Sequence, residues 1–192
     1  MSFGDAAILA RCKGHILQAS SEYHAPPTAP LGQAGDTHFA YGFGTQAVQV
    51  KVNLKSGEIK VLRVVAAYDV GRAMNPMAIE GQIEGGIMMG IGYALTEELR
   101  IQDGYLKSDN LARYKIPDIH YMPQVHPIIL EYRSSKGPFG AKGIGEATFI
   151  PTAPAILNAI YNACGLRFTR LPVTPKRVLA ALKKRGTKER RQ

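Results

Sequence analysis

Five glycines, Gly81, Gly85, Gly86, Gly90 and Gly92, fall within twelve residues of a stretch that otherwise reads as helix. The pattern predicts one helix over 77–99. Each glycine costs a helix interior about 1 kcal/mol relative to alanine, so such a helix must recover the loss through close packing against backbone or ligand. The spacings Gly81-x-x-x-Gly85 and Gly86-x-x-x-Gly90 match the small-residue seam of paired membrane helices. Glu80, Gln82 and Glu84 argue against that setting. So does the longest apolar run, 85–95, which is shorter than the roughly 20 residues a membrane span needs. A buried helix in a protein core is expected.

The flanking chain predicts a mixed architecture. Residues 47–54 alternate, with Val48, Val50 and Val52 on one side and Gln49, Lys51 and Asn53 on the other, as in a half-buried strand. Lys55-Ser56-Gly57-Glu58 supplies a turn, and 59–68 returns as a second strand. Asn75-Pro76 closes the loop ahead of the glycine-rich helix. Gln102-Asp103-Gly104-Tyr105 signals a hairpin, and 125–132 a strand broken by Pro127. Thr152 is expected to cap a helix that runs to Ala163, with Gly165 as its stop. Ile156, Ile160 and Ala163 form one apolar stripe and Leu157, Tyr161 and Cys164 a second, which predicts burial on most sides. Thr174-Pro175 starts a last helix, with Val178, Leu179 and Leu182 inward and Gly186 ending it. Residues 6–19 fit a strand or a short helix. Strands and helices follow without strict alternation, so the fold class expected is α+β. The expected domains are an N-terminal segment, 1–38, with a Pro-rich arm at 24–37; an α+β domain, 39–186; and a basic tail, 187–192.

Length and charge narrow the function classes. A chain of 192 residues, 45% apolar and 20% charged, fits one soluble domain or two small ones. Met1-Ser2-Phe3-Gly4-Asp5 lacks a charged region ahead of an apolar core, so no signal peptide is read. The net charge of +9 is concentrated: residues 176–192 carry eight bases and one acid, leaving the rest near neutral. That tail reads as a solvated end. No aromatic residue is interleaved with its charges, which argues against nucleic acid as a partner. Cys12 and Cys164 give neither a metal spacing nor a disulfide framework. Free thiols predict a reducing, cytoplasmic setting, and Cys164 reads as a small buried hydrophobe.

Several motifs fail on context. Gly42-Phe-Gly44-Thr-Gln-Ala47 matches a dinucleotide pattern, but a strand follows where the pyrophosphate needs a helix N-terminus. Lys142 is followed by Gly143 rather than Ser or Thr, so the loop is not a Walker loop. The five histidines show no helical ligand spacing. Two stretches remain. In Asp69-Val-Gly71-x-x-x-Asn75-Pro76 and the following Glu80-Gly-Gln82-x-Glu84-Gly85-Gly86, Gln82 sits beside glycine at a helix start, open to a ligand. In Gly140-Ala-Lys-Gly143-Ile-Gly145-Glu146, a carboxylate follows two glycines whose amides can hold an anion. A carboxylate enclosed beside a ligand can act as a base.

Those stretches carry a resemblance. Val64-Val-Ala-Ala-Tyr-Asp-Val-Gly-Arg-Ala-Met-Asn-Pro76, the run from Glu80 to Glu98, Gly137-Pro-Phe-Gly-Ala-Lys-Gly-Ile-Gly-Glu-Ala147 and the helix from Pro151 to Ile160 occur together. In that order they resemble the C-terminal part of the molybdenum-binding subunit of the xanthine dehydrogenase/aldehyde oxidase family. The resemblance implies a molybdopterin-binding domain that is incomplete relative to the full subunit. It implies Glu146 as the catalytic base at the molybdenum centre, and Gln82, Gly143, Ile144 and Gly145 as contacts to the molybdenum-pyranopterin, in plain or cytosine dinucleotide form. No residue here is assigned as a metal ligand. It further implies hydroxylation of a purine, an N-heterocycle or an aldehyde with water as the oxygen source. The expected partners are the remaining molybdenum-subunit chain, an iron-sulfur subunit bearing 2Fe-2S clusters and an FAD subunit. The competing reading is an isolated, inactive fragment that folds without cofactor.

Overall fold

The computed structural model describes residues 1–189, in two units, one of Met1–Thr37 and one that begins at His38. In the first, helix α1 (Phe3–Cys12) begins on a capping box in which Ser2 and Asp5 satisfy each other's backbone amides. Of the two options left open for 6–19, a short helix is the one formed. None of its residues is buried. The Pro-rich stretch that follows contains neither helix nor strand, as expected of chain with so few amide donors.

The second unit is built on a three-stranded sheet in the order β1-β2-β5, with β1 (Gly44–Val52) antiparallel to β2 (Ile59–Asp69) and β5 (Gln124–Leu130) parallel to it. The register between β1 and β2 slips once: Gln49 faces Arg63, but Val50 faces Val61, leaving Leu62 unpaired. That bulge resets the side-chain phase of β2. Ile59 and Val61 are buried before it and Val64, Ala66 and Tyr68 after it, so one strand keeps a single apolar face across an odd spacing. Residues 124–130 form a continuous strand and are not broken at Pro127. β5 lies at the sheet edge, where a missing amide removes no bond from an inner ladder.

Between β2 and β5 runs helix α2 (Pro76–Leu95), capped by Asn75, whose side chain accepts the Ala78 amide at 3.1 Å. Its buried residues include Ile79, Ile83, Ile87 and Ile91. The helix stops four residues earlier than its composition predicts. The Thr96 and Glu97 amides both turn back to the Gly92 carbonyl, at 2.9 and 2.8 Å, and Glu97 and Pro117 occupy the space a side chain at 92 would need. A two-residue hairpin, β3 (Ile101–Gln102) and β4 (Tyr105–Leu106), follows, then the single turn α3 (Leu111–Tyr114).

Helix α4 (Thr152–Cys164) packs against α2 and the sheet. Its N-cap is Pro151, without a side-chain cap. Thr152 is already helical, and its hydroxyl donates to the Thr148 carbonyl at 3.4 Å. Gly165, left-handed at φ 68°, ends it as expected. The helix is buried on one side rather than most: Thr152, Ala153, Ile156 and Ile160 are covered, Leu157 and Cys164 are half-buried, and Tyr161 and Ala163 are exposed. Tyr161 instead lies under Arg167, whose guanidinium sits 3.8 Å from its ring centre. Helix α5 (Pro175–Glu189) buries Val178 and half-buries Leu182, while Leu179 is exposed. It runs through Gly186, which does not adopt the left-handed conformation of a terminating glycine. The rest of the basic tail, 190–192, lies outside the described residues.

The glycines of α2 divide into two groups. At Gly86 and Gly90 an added Cβ would overlap Thr148 and Thr152, which are themselves fully buried. At Gly81 and Gly85 it would meet nothing within 4 Å. The two groups predict opposite signs. Gly86→Ala should destabilise the chain by about 1–3 kcal/mol through overpacking. Gly85→Ala should stabilise it by about 0.5–1 kcal/mol through helix propensity. Urea denaturation of the two variants checks this.

Candidate functional site

β2 ends inside the molecule on a carboxylate, and that sets the site. Asp69 is 6% exposed. Its Oδ1 accepts the amides of Gly71 at 3.0 Å and Tyr132 at 3.1 Å, and its Oδ2 pairs with Lys142 Nζ. One side chain thereby joins the end of β2, the chain leaving β5 and the glycine loop at 137–145. Burial alone pushes the Asp69 carboxyl up. The hydrogen bond from Lys142, the two amides and the lysine's charge more than reverse this, so it lies below its ordinary 3.8. Lys142 also approaches the Phe43 ring, 6.0 Å from its centre.

Backbone bonds reinforce the junction. The Lys142 amide donates to Val70 O at 2.9 Å, and the amides of Arg72 and Ser134 both donate to Gly140 O at 3.0 Å. Gly71 has φ 67°, and a Cβ there would run into the Gly140 carbonyl and lie 3.0 Å from the Lys142 amide. Only glycine satisfies both the dihedral and the approach.

The next four residues are held from the other side. Gln82, about two turns into α2, donates from Nε2 to the Gly145 carbonyl at 2.9 Å. The Thr148 hydroxyl lies 3.1 Å from Gln82 O and 3.2 Å from Gly145 O, sharing its proton between them. The Thr148 carbonyl accepts from Gln46 Nε2 at 2.9 Å and from Tyr68 Oη at 3.0 Å. Burial raises the Tyr68 hydroxyl above its ordinary value, offset in part by Gln46. So β1, β2, α2 and the start of α4 all converge on one short turn, Glu146–Thr148.

The two stretches singled out in the sequence therefore meet. Between them lies a cleft of about 360 Å³ lined by Arg72, Asn75, Gln82, Lys142, Ile144 and Gly145, among others. Gly143 and Glu146 are not part of that lining, though Glu146 follows Gly145 directly. The Glu146 carboxylate is exposed rather than enclosed and takes no partner among the described residues. Gly143 and Gly145 both face open space where a Cβ would stand.

This surface can accommodate a flat, hydrogen-bonding group such as a pyranopterin. Two glycines leave the loop backbone bare, and Gln82 Oε1 is free among the described residues to accept a bond. No group of three or more His, Cys, Asp or Glu among those residues could hold a metal ion. No described helix is long and apolar enough to cross a membrane. Asp69, Lys142 and Thr148 were not assigned roles from the sequence. The readable signal for the first two was an acid ending a Val-rich strand, which needs a cation. Thr148 left none.

The family described as a molybdopterin cofactor-binding domain matches residues 1–123. A probable xanthine dehydrogenase subunit of Bacillus subtilis is 36% identical over 85% of this chain and 22% of its own length. The aldehyde oxidoreductase molybdenum-binding subunit of Escherichia coli is 32% identical over 88% of this chain and 23% of its own. Among solved structures, the aldehyde oxidoreductase of Desulfovibrio gigas superimposes with a TM-score of 0.73 at 35% identity, covering 78% of this chain and 16% of that one. The chain thus spans about a fifth of the length of the relatives it matches.

The ion pair gives a signed pH prediction. Because folding lowers the Asp69 pKa, its contribution to stability is fully present above 3.8 and is lost as pH falls through the lower folded value. Asp69→Asn should therefore be less stable than the parent at neutral pH, with the gap closing below about pH 4. Thermal denaturation across pH 2.5–7 measures it.

Proposed function

The chain belongs to the molybdopterin cofactor-binding domain family, and on that premise we propose that it forms one wall of the active site of a molybdenum hydroxylase. The observation that carries this reading is the bond from Gln82 to Gly145, which joins the two stretches over an open cleft. In this reading the cofactor lies along Gln82, Gly143, Ile144 and Gly145, in plain or cytosine dinucleotide form. When bound, the molybdenum-pyranopterin supplies the two-electron redox chemistry. The chain's own residues do the rest. Gln82, its amide nitrogen engaged by the loop, offers Oε1 to a pterin N–H. The bare backbone at Gly143 and Gly145 permits close approach of a planar ring. Glu146 accepts the proton released as water-derived oxygen is transferred to an electron-poor carbon of a purine, an N-heterocycle or an aldehyde.

Glu146 is solvent-exposed here. A general base works best when its surroundings exclude competing water. The other wall must therefore come from the rest of a molybdenum subunit, with iron-sulfur and FAD subunits carrying electrons away. Relatives whose names describe subunits support this reading. The setting proposed is cytoplasmic.

Glu146→Gln keeps the size of the side chain and removes the base. In the assembled enzyme it should lower turnover of xanthine or benzaldehyde by about 10²-fold or more, with molybdenum content and assembly unchanged. Turnover retained at the parent rate would remove Glu146 from this role.

A further inference from the structure

Between 141 and 151 Thr148 is the one buried residue, and it is 0% exposed. A valine has the same shape and would fill the space without a polar atom, whereas a hydroxyl buried without partners is costly. The Thr148 hydroxyl has two acceptors in reach, Gln82 O at 3.1 Å and Gly145 O at 3.2 Å. Neither carbonyl depends on it. Gln82 O lies inside α2, where the helical ladder supplies an amide four residues on. Gly145 O already accepts from Gln82 Nε2 at 2.9 Å. The fold is therefore satisfied without this hydroxyl. What the hydroxyl adds is a second hold on the Gly145 carbonyl.

That carbonyl lies in one peptide plane with the Cα of Glu146. Glycine backbone has the widest range of conformations, and an added Cβ at Gly143 or Gly145 would meet nothing within 4 Å. Neighbouring side chains thus leave this plane free to turn unless its oxygen is held. The Glu146 carboxylate takes no partner among the described residues, so its direction comes from the backbone that bears it. Thr148 is itself fixed from three sides. Its carbonyl accepts from Gln46 Nε2 on β1 at 2.9 Å and from Tyr68 Oη on β2 at 3.0 Å. Its hydroxyl stands where a Cβ on Gly86 of α2 would be.

We propose that Thr148 is a positioning residue for Glu146. Its hydroxyl fixes the Gly145–Glu146 peptide plane and thereby sets where the carboxylate stands relative to the reacting atoms. The inference rests on the reading of Glu146 as the base. It adds the residue that aims that base.

Two variants of the assembled enzyme that carries this sequence test it. Thr148→Val removes the hydroxyl and keeps the shape. Thr148→Ser keeps the hydroxyl and removes a methyl group. With xanthine or benzaldehyde as substrate, the valine variant should lose about tenfold or more in kcat per molybdenum, with KM within about twofold of the parent. The serine variant should restore kcat to within about threefold of the parent. Hydrogen exchange at residues 143–147 should be about tenfold faster in the valine variant alone, with α4 and the molybdenum content unchanged. A valine variant that loses molybdenum or melts earlier, yet keeps the parent kcat per molybdenum, confines Thr148 to stability and overturns the proposal. A serine variant as slow as the valine one also overturns it, because the hydroxyl would not be the group that matters. If Glu146→Gln is inactive while Thr148→Val is not, the positioning role alone falls. If Glu146→Gln turns over at the parent rate, the reading of the base falls with it.

Discussion

The contact between α2 and the residues that lead into α4 is the constraint on which the rest of the molecule turns. Gly86 lies against Thr148 and Gly90 against Thr152 with no room for a side chain at either glycine. That closeness lets the Thr148 hydroxyl reach Gln82 O and Gly145 O at once, and lets Gln82 reach over to Gly145. A methyl group at 86 would push the turn that carries Glu146 away from the helix that carries Gln82. The same glycines that weaken α2 as a helix make it serve as a shelf for the loop.

The second anchor is electrostatic. Asp69 is buried, which would be costly for a lone carboxylate, but it takes two amides and the Lys142 ammonium. Because its partners come from three separate segments, it fixes the glycine loop at its N-terminal side while Thr148 fixes it at the other. Between the two anchors the backbone of Gly143 and Gly145 stays bare. The loop is thus held at its ends and left open at its centre, where a ligand backbone contact would form.

Legibility in the sequence followed periodicity and turn chemistry. The alternation of Val48, Val50 and Val52 gave β1 correctly, and Gly165 gave the end of α4, because each depends on its own few residues. The end of α2 did not show, because it is set by Glu97 and Pro117 folding back over Gly92. Pro127 looked like a strand breaker because nothing local says that its strand lies at a sheet edge. Gly186 reads as a stop, but the left-handed turn by which Gly165 ends α4 is not made at Gly186. For the site, family-like motifs named Gln82 and the loop up to Glu146, whereas Asp69, Lys142 and Thr148 act through long-range contacts that sequence spacing does not encode.

The role we propose for this chain is one wall of a molybdopterin site, completed by the rest of a molybdenum subunit. The most direct test is the composition of the native particle that carries this sequence, isolated under mild salt from its own cells. The expected result is a particle several times the 20.9 kDa of this chain, containing molybdenum and pterin in equal amount to the chain. A particle of the chain's own mass, free of both, would contradict it.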